Sequence, residues 1–224
     1  MSKIFVIDGT DGSGKQTQLE KLCEAFDRDN VAYAKFSFPR YDSPSSALVK
    51  MYLNGEFGSD PQAISPYTAS TFYALDRYAC YMQEMKSAIG EGKIIILDRY
   101  TTANMVHQAG KIKDVIERDK FLDWIYDFEF NVLGLPKPTE VFFLDMPLEK
   151  SEELMKNRLN KINNEEKKDI HESNREHLKA AYEAGVYVAK KYEWNHIKCC
   201  DKNNEIRTIE DSHNEIYGSI EKYL

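Results

Sequence analysis

The chain has 224 residues, 42% of them hydrophobic and 30% charged, with 30 basic side chains against 37 acidic ones and a net charge of −7. An acidic chain without a basic patch is a poor partner for a nucleic-acid polymer, so its basic side chains are expected as local features at an anionic ligand. The length suits one α/β domain over residues 1–224 with a sizeable core, and no apolar run approaches membrane-spanning length.

Residues 1–20 run straight into a glycine-rich loop, with no charged segment leading into an apolar signal core. Cys23, Cys80, Cys199 and Cys200 form no C-x-x-C pair, and a vicinal pair has poor geometry for an ordinary bridge. Reduced, mostly core thiols are expected, and with them a cytoplasmic enzyme or switch protein that avoids membranes.

Taken in order, Ile4-Phe5-Val6-Ile7 reads as a buried strand leading into Gly9-Thr10-Asp11-Gly12-Ser13-Gly14-Lys15. The fit to G-x-x-x-x-G-K-[ST] is complete through Lys15; Gln16 then stands where the hydroxyl is usual, and Thr17 brings one a place later. Gly9, Gly12 and Gly14 allow successive N–H groups to converge on phosphate oxygens at a helix N-terminus, and Lys15 adds a point charge. An ordinary glycine-rich turn needs neither the three spaced glycines nor the lysine.

Leu19, Leu22, Cys23 and Phe26 recur at helical spacing over 14–29, and Val31–Phe38 is a second strand ending in Phe38-Pro39-Arg40-Tyr41. Residues 45–53 are read as helical, and Ser65-Pro66 opens a long helix that runs to about Ile89. On it Tyr73, Arg77 and Tyr81 share a face, with Asp76 beside them. Read alone, this is a core aromatic stripe with a snorkelling arginine.

Lys93–Tyr100 reads as a strand whose Ile94–Leu97 run is apolar, as a central parallel strand should be, and it finishes in Asp98-Arg99-Tyr100. An aspartate there can hold magnesium or its water shell beside the loop, while a plain Asp–Arg surface pair is the bland alternative. Helices are expected at 102–110 and at 114–133, the latter with Val115, Phe121, Leu122, Ile125, Phe128 and Val132 on its apolar face. A strand at 141–145 and a helix at 148–159 follow. Residues 156–168 gather Arg158, Lys161, Lys167 and Lys168 among polar neighbours, and by themselves read as a solvated loop. A helix over 171–192, a strand over 196–200 and a terminal helix over 208–223 complete five strands alternating with helices, the pattern of parallel right-handed βαβ units.

Four separated motifs, read together, are more specific than any one. They are Asp8 through Gln18, Phe38-Pro39-Arg40-Tyr41, Tyr73-Ala74-Leu75-Asp76-Arg77-Tyr78, and Asp98-Arg99-Tyr100 followed by Asn104 and Gln108. In this order and spacing the chain resembles the thymidylate kinases, P-loop nucleoside monophosphate kinases. The resemblance implies a three-layer P-loop fold, a five-stranded parallel sheet flanked by helices, and a mobile lid at about 156–170. It also implies a homodimer, ATP as phosphoryl donor, Mg2+ at Asp98, and dTMP as acceptor.

By the same resemblance Gly9 to Thr17 would hold the donor, including Thr10, Ser13 and Gln16, and Asp11 would accept from the sugar 3′-hydroxyl. Tyr73, where the family more often has Phe, would stack on the base, which Arg77 and Gln108 would read, with Asn104 also at the substrate. Phe38 would flank the sugar and base, Arg40 and Tyr41 would lie near the acceptor phosphate, and Arg99 would bridge the two phosphates. The loop carries Ser13 and no arginine, so the lid must supply the transition-state cation, Arg158 first and Lys161 second. Asp169 and Glu172 would border that lid. His107 stands where many relatives have a tyrosine that crowds the 2′ position, and His171 replaces an aromatic that often follows the lid. Two other readings remain at this stage. A deoxynucleoside kinase would need a carboxylate base for a neutral hydroxyl acceptor, and a P-loop switch would bring a guanine-reading Asn-Lys-x-Asp motif, which the sequence lacks.

Overall fold

A computed structural model describes residues 3–60, 62–155 and 174–224. Five parallel strands, β1 (Ile4–Gly9), β2 (Tyr33–Ser37), β3 (Ile94–Asp98), β4 (Glu140–Asp145) and β5 (Asn195–Lys198), lie in the order β2-β3-β1-β4-β5. In register, Ile7 pairs with Asp98, and Asp8 with Phe143. The sequence direction reverses across the centre of the sheet, so the carboxyl ends of β1 and β3 open on the crevice where such sheets hold ligands.

Neighbouring side chains of β1 explain why its apolar run is unbroken. Phe5 and Ile7 pack beneath α1 (Lys15–Arg28) and α9 (Ile209–Glu221), against Leu22, Phe26, Ile216 and Ile220. Ile4 and Val6 face the other way, into a cluster with Leu97, Met85, Tyr100 and Phe130. With helices on both faces, a polar residue at any of these positions would be buried without water.

Between β2 and β3 run α2 (Ala47–Leu53), α3 (Pro66–Cys80), a π-helical turn (Tyr81–Met85) and α4 (Lys86–Gly90). Ser65 caps α3, its side chain accepting from Thr68 N, with Pro66 in the first turn. After β3 come α5 (Thr101–His107) and α6 (Val115–Tyr126), capped by Asp114, and a second π-helical turn follows at Asp127–Val132. That turn changes the expected apolar face. Phe121, Leu122 and Ile125 are buried as predicted, but Val115 and Val132 are exposed, and Glu129 and Phe130 take the inward positions. Beyond β4, α7 (Leu148–Met155) begins the predicted 148–159 helix, and α8 (Arg175–Lys191) matches most of the predicted 171–192 one. The last strand ends at Lys198, earlier than expected, and Cys200 instead makes an isolated antiparallel bridge with Ile206. All four cysteines are free. Among the described residues no helix is long and apolar enough to cross a membrane.

Candidate active site

The loop between β1 and α1 turns on three glycines with positive φ: Gly9 at 149°, Gly12 at 78° and Gly14 at 90°. A Cβ on Gly12 would meet the Ser151 carbonyl oxygen of α7 at 2.6 Å. One on Gly9 would meet Ser13 Oγ at 2.7 Å and the Leu144 carbonyl oxygen at 2.8 Å. The loop is therefore pressed between two neighbours that leave room for hydrogen alone. Gly14 is the N-cap of α1 and offers no side chain to the first-turn N–H groups, which stay available to an anion.

Lys15 is buried, and its Nζ donates to the carbonyls of Gly9 (3.0 Å) and Thr10 (2.7 Å). Burial and the nearby Arg99 guanidinium lower its pKa to about 8, against the pull of Asp11, Asp98 and Asp8. Gln16 points outward to Glu20, while Thr17 is half-buried. Ser13 Oγ is buried and has no hydrogen-bond partner among the described residues.

Three carboxylates surround this lysine. Asp8 is fully buried and accepts from Gly9 N and the Thr102 hydroxyl; burial pushes its pKa up, opposed by Arg99, Thr102 and Lys15. Asp11 is paired with Arg99 Nη2. Asp98 accepts from the Ser37 hydroxyl at 3.0 Å through Oδ2, while its buried Oδ1 has no hydrogen-bond partner among the described residues. A hard oxygen donor left unsatisfied beside the phosphate loop fits a magnesium ion or its water shell. Among the described residues no group of three His, Cys, Asp or Glu side chains could hold a metal unaided, so the rest of the coordination would come from phosphate and water.

Arg99 joins this loop to a second compartment. Its φ of 63° is a left-handed conformation rarely taken by non-glycine residues, a local strain of the kind found at working sites. Nη1 lies 3.1 Å from His107 Nε2. Arginine only donates, so Nε2 accepts and the imidazole proton sits on Nδ1. Burial first, then Arg99, holds His107 well below the ordinary imidazole pKa, and burial lowers His177 to about 4. These two rings stack at 6.2 Å. His177 escaped the sequence reading because only the fold brings α8 against α5.

Arg99 and His107 line a cleft together with Phe38, Pro39, Tyr73, Arg77, Ala103, Asn104 and Gln108. Seven of these nine residues were expected from sequence. Gln108 is buried, with Oε1 lacking a hydrogen-bond partner among the described residues, and Tyr73 packs edge-on to Tyr52. The Phe38–Pro39 peptide is cis. Tyr81, predicted on the same stripe as Tyr73 and Arg77, does not line the cleft and packs, half-buried, against the core cluster of Leu97 and Met85.

Arg40 does not line the cleft. Its Nη1 donates to Glu84 at 2.7 Å, its Nη2 meets Ser43 and Ser45, and its backbone N donates to the buried Asp76. Tyr41 packs beside Val49 and Tyr52, with its phenol among the groups acting on Arg99. Arg158, Lys161, Lys167, Lys168, Asp169, His171 and Glu172 lie outside the described residues. Glu129 was missed altogether. It is fully buried and accepts from Arg77 Nε (2.7 Å), Arg77 Nη2 (2.5 Å), Thr101 (2.7 Å) and Asn104 (3.3 Å).

Comparisons with known proteins point to one family. A thymidylate kinase of Mycobacterium tuberculosis is 35% identical over 136 residues, and the match spans 60% of this chain and 62% of the relative's length. A probable thymidylate kinase of Thermococcus gammatolerans is 26% identical over 232 residues, covering 100% of this chain and 98% of the relative. The thymidylate kinase of Plasmodium falciparum is 27% identical across 98% of this chain and 90% of its own. In fold, the crystal structure of thymidylate kinase from Ehrlichia chaffeensis is similar with a TM-score of 0.64, 18% identity, and coverage of 98% and 99% of the two chains. The thymidylate kinase family profile matches residues 7–211, and the phosphate loop, Asp98-Arg99 and the cleft all fall inside that span: the chain belongs to the thymidylate kinase family.

Proposed function

We propose that this chain transfers the γ-phosphoryl group of ATP to the 5′-phosphate of dTMP, giving dTDP and ADP, with magnesium. One observation carries the reading: Arg99 stands between the phosphate loop, through Asp11, and a cleft with an aromatic wall and buried polar readers. The donor polyphosphate lies along the loop from Gly9 to Thr17, against the amides at the start of α1, Ser13 Oγ and Lys15. The thymine lies in the cleft beside Tyr73, read by Arg77, Asn104 and Gln108, with Phe38 at the sugar.

The acceptor is already an anionic phosphate, so no strong general base is needed, and the protein's task is alignment and charge neutralisation. Lys15 carries charge to the donor and Arg99 to both phosphates. Asp98 fits magnesium, which when bound neutralises and aligns the phosphate oxygens. The lid cations, Arg158 first, complete the neutralisation and exclude water. Asp11 must exchange part of its pairing with Arg99 for the sugar hydroxyl. Arg40 supports the phosphate end indirectly, by fixing the segment after Pro39 against Asp76 and Glu84.

The protein also pairs with a second copy of itself. Leu75 and Met82 stand 48% exposed and Tyr78 37% exposed at i, i+3 and i+7 along α3 and its π-helical turn, an apolar stripe that a second copy would cover. Sedimentation at micromolar concentration should give a dimer, and Met82→Glu should shift it toward monomer.

The deciding assay is ADP release with ATP and magnesium, comparing dTMP, dUMP, dCMP, UMP and thymidine. Strong preference for dTMP is the expected result. Preference for thymidine would make this a nucleoside kinase, and ADP release independent of any acceptor would refute the transferase reading.

A further inference from the structure

Glu129 does not line the cleft, yet two of its ligands do: Arg77 and Asn104. Four donors meet on its two oxygens, and every one of them faces an acceptor, as a carboxylate requires. Asn104 is the informative partner. Its Nδ2 donates to Glu129 Oε1 at 3.3 Å and to the carbonyl of Ser70 at 3.2 Å. Both of those atoms can only accept, so the NH2 is held on that side. Turning the amide over would set Oδ1 against a carboxylate and a carbonyl. Arg77 is held in the same way: Nε and Nη2 are both taken by Glu129, and Nη1 is the nitrogen that remains.

We propose that Glu129 is a positioning residue that fixes the hydrogen-bond order of the base-reading edge. It leaves a donor, Arg77 Nη1, and an acceptor, Asn104 Oδ1, on two residues that both line the cleft. This order matches a 4-keto pyrimidine, where O4 accepts and N3–H donates. It opposes a 4-amino pyrimidine, where the amine donates and N3 accepts. The buried acid thus selects the base without touching it. The proposal rests on the cleft being the acceptor-nucleotide site proposed above.

The test is Glu129→Gln, with initial rates measured on dTMP and dCMP and binding of a fluorescent ADP analogue as the check on the phosphate loop. A carboxamide replaces one acceptor with a donor, so it cannot receive both Arg77 nitrogens and Asn104 at once, and Asn104 is free to turn over. Losing a hydrogen bond to a charged group should raise KM for dTMP about 10- to 100-fold. The dTMP-to-dCMP ratio of kcat/KM should fall by at least about tenfold, with kcat at saturating dTMP much less affected and ADP binding unchanged. Equal losses on dTMP and dCMP would overturn the proposal. A wild-type enzyme indifferent to the two nucleotides would instead overturn the reading of the cleft itself. If Glu129→Gln does not fold, the wild-type protein still decides. With 15N-labelled asparagine, both Asn104 side-chain protons should exchange slowly with solvent and stay so when dTMP is added. Rapid exchange would show that Glu129 does not hold them.

Discussion

Lys15 offers the sharpest test of the phosphate loop, because its charge is set by its burial. Its pKa of about 8 means that raising the pH should remove the cation proposed to meet the outer phosphates. A lysine half-ionised near pH 8 is about 90% charged at pH 7 and about 10% charged at pH 9, so nucleotide affinity should drop about tenfold across that interval. The nucleotide's own terminal phosphate, with a second pKa of about 6, is already ionised over this range and contributes little to the change. The assay is titration with a fluorescent ATP analogue from pH 7 to 9.5. Calorimetry at pH 8.5 in buffers of different ionisation enthalpy accompanies it. The sign is fixed: the bound polyphosphate favours the charged ammonium, so binding must take up a proton, approaching one per site above pH 8. Lys15→Met should bind weakly at every pH and take up none. An affinity that is flat from pH 7 to 9, or proton release on binding, would refute the account of Lys15.

Arg158→Ala should lower kcat by on the order of 10³ while leaving dTMP affinity nearly unchanged, and unchanged turnover would move the transition-state cation to another residue. Gly12→Ala places a Cβ 2.6 Å from the Ser151 carbonyl at a φ of 78°, so stability should fall by about 2 kcal/mol, with loss of ADP binding, in a melt with and without ADP. Lys111, buried against the Tyr52 hydroxyl and the Ile64 carbonyl, has its pKa lowered by burial from 10.5 to about 8. The unfolded chain then holds more protons than the native one between those values, so this lysine makes stability rise as pH climbs through that window. The wild-type advantage over Lys111→Met should therefore grow by roughly 2 kcal/mol between pH 8 and 10, read by urea unfolding; a constant difference would show Lys111 to be unperturbed.

The fold was legible because its signals are local and redundant. Strands buried on both faces must be continuously apolar, and three spaced glycines before a lysine have few uses apart from holding phosphate. The cleft was legible through the four motifs, since most of its lining sits within a few residues of one of them. Glu129 was not, although it stands four residues after Ile125, in the turn that continues the buried face of α6, where an acid has no place unless it is paired. Its partners Arg77, Thr101 and Asn104 lie 25 to 52 positions away, and no pattern along the chain joins them. The π-helical turn that follows α6 hid it further, since a strict helical period puts Val132 inside and the structure puts it outside. Arg40 is a different case. Its motif points to the phosphate, but Glu84, 44 positions on, captures the guanidinium.

Charge balance explains why the phosphate-transfer machinery needs more than the residues described. Two cations, Lys15 and Arg99, share the space between loop and cleft with Asp8, Asp11 and Asp98. Burial favours a proton on Asp8, and even then Asp11 and Asp98 cancel both cations. Such a centre is about neutral before any phosphate arrives. A donor polyphosphate and an acceptor phosphate then bring several negative charges into a site with little water to screen them. Lys15 and Arg99 can orient these groups but cannot neutralise them. On the proposed reading, the missing charge enters with the substrates as magnesium, toward Asp98, or comes from the cations proposed for the lid, Arg158, Lys161, Lys167 and Lys168. The two sources should be coupled. With fewer lid cations, turnover should depend more steeply on magnesium, and Arg158→Ala should raise the magnesium concentration needed for half-maximal rate. An unchanged magnesium requirement would mean that the two do not share the task.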